Sequence, residues 1–179
     1  MNTLFKISVL IFLCFSSSTL LFAHDRSEKL ILVQGIVLNL YYEDKYIEIK
    51  RAELFYGYGM LDKNRVFIAY QDPEYGAEAV ARLDVLNVHD GNTTKLTIIG
   101  SSGESHFDVY PYTGHIAYND SDGIHLMIVH EDNSIVIHDL VKDSSAWGVF
   151  WVDKNTIGTM LWEEKRNEFK KIDVSHLLK

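Results

Sequence analysis

Cysteine and proline are the scarcest features of this 179-residue chain, and each absence excludes something different. The single cysteine, Cys14, falls in the N-terminal apolar stretch, so the rest of the chain has neither a disulfide framework nor a thiol nucleophile. Stability must therefore come from an ordinary hydrophobic core. With only two prolines, Pro73 and Pro111, nearly every residue can donate its amide to a strand ladder. A membrane-spanning run is also missing. The apolar stretch from Ile7 to Phe15 stops at Ser16, Ser17, Ser18 and Thr19, short of the roughly twenty apolar residues a span needs. With Lys6 before it and Ala23 after it, "MNTLFKISVLIFLCFSSSTLLFA" reads as a secretory signal peptide over 1–23. The chain from His24 is then expected to be periplasmic or secreted, with no membrane insertion after cleavage. Leu13 stands where a lipidated precursor would carry a small residue before its cysteine.

Positive charge is in short supply too, with 17 Lys and Arg against 25 Asp and Glu. The first 23 residues hold one of those cations and no acid, which leaves 16 against 25, a net charge of −9, for residues 24–179. Such a surface repels phosphate backbones and acidic headgroups, and nucleic acid is excluded as an expected partner. "KRNEFKK" at 165–171 is the local exception, read as the solvated face of a terminal hairpin. No linker, low-complexity tract or charge block divides 24–179, which is read as a single domain.

What is abundant is short runs rich in Val, Ile, Tyr and Phe, alternating with a period near two and broken every six to ten residues by Asp, Asn, Gly or Ser. That pattern predicts an all-β chain. "PEYGAEAVARL" is the one stretch with helical character, and its proline and glycine make it a loop insertion. The runs also repeat. "VHDGN" at 88–92 and "VHEDN" at 129–133 each sit between two strands, and "LDKNRVFIAY", "YTGHIAYND" and "VDKNTIGTML" share a polar turn followed by a strand. Three units emerge, near 51–99, 103–141 and 144–178, the first lengthened by an insertion from Pro73 to Val80. Each has the size of a four-stranded propeller blade.

"FDVYPYTGHIAYNDSDGIHLMIV" resembles the repeat of TolB-type, WD-like β-propellers, with Pro111, Gly114, Ile116, Ala117, Tyr118, Asp122 and Gly123 in matching places. The aspartate usual before Gly114 is absent. The resemblance implies an exported protein-binding or scaffolding module. The expected fold is thus a propeller-like array of four-stranded antiparallel blades, three clear units plus an irregular N-terminal one at 30–50 completed by the C-terminal strand. Propellers close with four to eight blades, so pairing of two chains and an open sandwich stay as alternatives to a monomer, which is favoured.

Catalytic and metal motifs are the last absence. Asp120 and Asp122 before Gly123 are weak metal candidates, because a calcium loop needs further oxygen ligands and a downstream glutamate. Asp before Gly is equally what a hairpin turn requires. The eight histidines include no HExxH pair, "GSSGE" is not a nucleophile elbow, and the consecutive Glu163 and Glu164 would point to opposite strand faces. No cofactor is expected. Aromatic residues near the start of each unit remain: Tyr58, Tyr110, Tyr112 and Trp147 are the candidate partner-binding residues, Tyr112 and Trp147 the ones expected to be exposed. Trp151 is expected in the core. The function expected is an exported, non-enzymatic module binding a protein, a basic one by charge, with a periplasmic inhibitor or immunity protein as one form. The alternative is a small-ligand or glycan-binding or hydrolysing propeller with Asp108, Asp120 and Asp122 around a central pocket.

Overall fold

In a computed structural model, the structure describes residues 30–34, 37–42, 45–52, 54–71, 80–100, 106–142, 146–163 and 166–178. Fourteen strands and no helix occur among them. They form four antiparallel sheets in chain order: β1 (Leu30–Gln34), β2 (Val37–Tyr42) and β3 (Lys45–Arg51); β4 (Phe55–Met60), β5 (Arg65–Gln71), β6 (Val80–Asn87) and β7 (Thr93–Gly100); β8 (Phe107–Tyr110), β9 (His115–Asp120), β10 (Gly123–Val129) and β11 (Ile135–Val141); and β12 (Ala146–Asp153), β13 (Thr156–Glu163) and β14 (Arg166–Asp173). Within each sheet consecutive strands are neighbours, so every sheet is a simple meander.

The sheets stack face to face, and strand alternation explains how. In β5, Phe67 and Ala69 enter a core shared with the third sheet, while Val66, Ile68 and Tyr70 enter a core shared with the first. Successive side chains point to opposite faces, so a strand covered on both sides reads as an unbroken apolar run, which is what "VFIAY" is. β10 repeats this: Met127 and Val129 face the second sheet, and Ile124 and Leu126 face the fourth. Terminal sheets are covered on one side, as with Leu38 and Leu40 of β2 or Ile157 and Leu161 of β13. Three apolar cores in series therefore join four blades into an arc. Among the described residues, no buried apolar cluster joins the first blade to the last.

Two details differ from the repeat pattern. The segment near 30–50 does form a blade, but β14 pairs with β13 and does not complete that first sheet. Among the described residues the last unit, like the first sheet, holds three strands, not four. After β14 the chain turns: Asp173 Oδ1 accepts the Ser175 amide at 2.9 Å, and the Leu177 amide donates to the Val174 carbonyl at 2.9 Å. Leu177 and Leu178 then pack against the third core, where apolar contact outweighs a further exposed edge strand. The insertion that follows Pro73 lies outside the described residues up to Val80, which opens β6.

Candidate functional site

The loop between β8 and β9, Pro111 to Gly114, is where the sequence asks most of the backbone. Thr113 Oγ1 donates to the Tyr110 carbonyl at 2.9 Å and accepts the His115 amide at 3.3 Å, closing a tight turn. Tyr112 adopts φ of 62°, a left-handed conformation that costs an aromatic residue about 1–2 kcal/mol. It is held there from outside the loop. The Tyr112 amide donates to the Met60 carbonyl at 3.0 Å, and the Gly114 amide to the Leu61 carbonyl at 3.1 Å, so the turn is tied to the second blade. The Tyr112 side chain is 41% exposed.

Beside it lies an open groove of about 420 Å³, lined among others by Asp62, Arg65, Tyr112, His115, Glu131 and Leu177. Arg65 builds one wall. Its Nε donates to Asp62, and its Nη1 reaches the third blade, donating to the His130 carbonyl at 2.6 Å and to Asn133 Oδ1 at 2.8 Å. Burial alone would raise the Asp62 carboxyl pKa, but hydrogen bonds from the Asn64 and Arg65 amides and the Arg65 guanidinium outweigh it and hold the group low. His115 is half-buried, and desolvation pushes its pKa down, which favours neutral imidazole in the groove.

The four aromatic candidates do not form one cluster. Tyr110 is close to Tyr112 in the chain and packs against Trp151, ring centroids 5.2 Å apart. Trp151 in turn donates its amide to Asp108 Oδ2 at 2.6 Å and its indole N–H to the Asp108 carbonyl at 3.0 Å, a half-buried joint between the third and fourth blades. Tyr58 lies against the core between the first and second blades, where burial raises the pKa of its phenol. Trp147 pairs with Met160 near the start of β12. Trp151, at the other end of β12, neighbours Tyr110 and His115, so Trp147 is displaced from the Tyr112 groove by four residues of strand, about 13 Å. Its side chain lies outside the described residues.

Asp120 and Asp122 sit in the β9–β10 turn, where Asp120 Oδ1 accepts the Asp122 amide at 2.8 Å and Gly123 follows at φ of 142°. Asp120 has a second role. Buried His125 faces Asp120 Oδ1 at 2.9 Å through Nε2 and Asp139 Oδ1 at 3.1 Å through Nδ1, and it stacks on Tyr118 at 4.8 Å. The His125 hydrogen bond holds the Asp139 carboxyl below its ordinary range. Asp108 and Asp120 are thus engaged with different partners, Trp151 and His125. Among the described residues, no group of three or more His, Cys, Asp or Glu is arranged to hold a metal ion. The Arg65–Asn133 contact, 68 residues apart, and the Asp120–His125–Asp139 bridge, whose members lie 5 and 14 residues from His125, escape sequence reasoning because no spacing rule links them.

No family model matches the chain, and neither does any curated protein. Solved structures do. Over 80% of its length the chain is similar to a chain in the crystal structure of a nidogen/laminin complex, at TM-score 0.53 and 11% identity, covering 56% of that chain. Over 84% of its length it is similar to an oligogalacturonate lyase from Vibrio parahaemolyticus, at TM-score 0.56 and 12% identity, covering 48% of that chain. Both neighbours are β-propeller proteins. The fold is propeller-like. At these identities the likeness concerns the fold alone, and the chain spans about half the length of the propellers it matches.

Proposed function

We propose that this chain is an exported, non-enzymatic module that binds a protein partner on the face centred on the Tyr112 groove. The observation that carries the reading is Tyr112 itself: a strained backbone, fixed by two hydrogen bonds to the neighbouring blade, that displays a large amphipathic ring at the lip of a groove. Strain of this kind persists where surrounding structure enforces it, and loops on a rigid scaffold are where binding residues concentrate. The acidic balance of the chain favours a cationic partner and a salt-sensitive encounter. Export is supported by the pattern of residues 1–23, and the TolB-type likeness of 107–129 fits an exported scaffold. A periplasmic inhibitor or immunity protein is the form that an acidic module without catalytic motifs suits.

The test begins with capture of the partner from a periplasmic fraction, followed by titration of that partner. Tyr112→Ala is expected to weaken binding by about 2 kcal/mol, close to thirtyfold, with the melting temperature kept within a few degrees. A variant that melts far earlier, or binds as well as the parent, would show Tyr112 to be packing and sink the reading.

A further inference from the structure

The alternation that seats each blade on its neighbour leaves two sheet faces uncovered among the described residues, the outer one of the first blade and that of the last. In the last blade Val149, Ile157 and Leu161 turn into the third core, so the alternate positions face away from it. Phe150, Val152 and Phe169 stand on that far side and are 41%, 40% and 44% exposed. Phe150 lies on β12 and Phe169 on β14, with β13 between them. Their rings stack across it, centroids 5.7 Å apart and planes within 16°. Gly158 makes this feasible: a Cβ there would come within 2.9 Å of both rings. The result is an aromatic pair over Gly158, with the exposed Lys171 of β14, which pairs with Gly158, on the same face.

We propose that this face is the docking surface for a second copy of the chain, which seats its own first blade there, so that two arcs close into one ring. The contact would continue the packing already present three times in the arc, sheet face on sheet face through an apolar layer. Size agrees, since the chain covers 56% and 48% of the propeller chains it resembles. Two-fold symmetry lets each copy give its last blade to the other's first, which uses both ends of each arc and stops association at two.

Sedimentation equilibrium of the purified chain at about 100 μM should return twice the chain mass, as interfaces of standard size bind at micromolar or tighter. The F150K/F169K variant should return the single-chain mass with an unchanged circular dichroism spectrum. A parent chain that stays monomeric overturns the proposal, including the case where an unrelated protein takes the face instead. A folded double variant that stays dimeric overturns it as well. Should the double variant fail to fold, Val152→Lys decides: with a charge placed in the apolar face the dimer Kd is expected to weaken about fivefold or more, and an unchanged Kd counts against the proposal.

Discussion

Asp108 illustrates how much one carboxylate can carry without being a site. Burial raises its pKa against the opposing effect of the Trp151 amide, which it accepts at 2.6 Å. A folded-state pKa raised above the unfolded value means that the group's stabilising contribution is complete below the unfolded pKa near 3.9 and is lost as pH rises through the folded one. At neutral pH the charge is therefore a burden, while the hydrogen bond is an asset. Asp108→Asn keeps an acceptor and removes the charge, so its melting temperature at pH 7 should equal or exceed that of the parent. Asp108→Ala should lose about 1–3 kcal/mol, because the Trp151 amide is left unpaired. Thermal melts of both variants at pH 7 check the pair, and a lower melt for Asn than for Ala would contradict it. The residue scale is also where sequence reading was weakest. "NDSDG" is legible as a turn from Asp and Gly alone, but the engagement of Asp120 with His125 follows from the β9–β10 register, and that of Asp139 from β10–β11 pairing.

At the scale of elements, β4 shows why a weak-looking strand can be the right one. "FYGYGM" places Gly57 and Gly59 on the side that meets β8, where a Cβ at Gly57 would stand 2.3 Å from the Phe107 carbonyl oxygen and one at Gly59 2.6 Å from Val109 Cβ. Two neighbouring blades can approach this closely only because those side chains are missing. Gly59→Ala is expected to cost about 1–3 kcal/mol by overpacking, and Gly57→Ala more, since its clash is the closer and neither the Phe107 oxygen nor the Val109 Cβ can rotate away. Urea denaturation gives the ordering, and a neutral Gly57→Ala would show that the blades can separate there. Strand positions were legible along almost the whole chain because period-two alternation and Asp, Asn and Gly turns are local signals. The number of strands in the last blade was not: a fourth strand and the Val174–Leu178 turn differ only in whether Leu177 and Leu178 meet an apolar core, which depends on a neighbouring sheet. The separation of Tyr110, Tyr112, Tyr58 and Trp147 was equally out of reach, since proximity to a blade's first strand does not say which end or which wedge a side chain occupies.

At the scale of the whole molecule, three cores in series make stability uneven. β5, β9 and β10 are covered on both sides, whereas β2 and β13 bury one face only. Amide exchange should therefore be slowest in β5, β9 and β10 and faster in the outer blades, because local opening requires parting one interface at an end and two in the middle. Hydrogen exchange followed by mass spectrometry measures this, and uniform protection across all four blades would refute it. Coverage on both sides has another effect, on how the molecule avoids errors while folding. In β5 either face is apolar, so shifting the strand by one position would exchange Phe67 and Ala69 for Val66, Ile68 and Tyr70 without exposing a hydrophobic residue, and polarity alone does not penalise the mistake. The buried Tyr70 hydroxyl, which donates to Asp84 Oδ2 at 2.7 Å, does penalise it. A slipped strand turns Tyr70 to the opposite face and removes that donor from a carboxylate that is 1% exposed, so this one polar contact acts as a proofreading key for the middle of the arc.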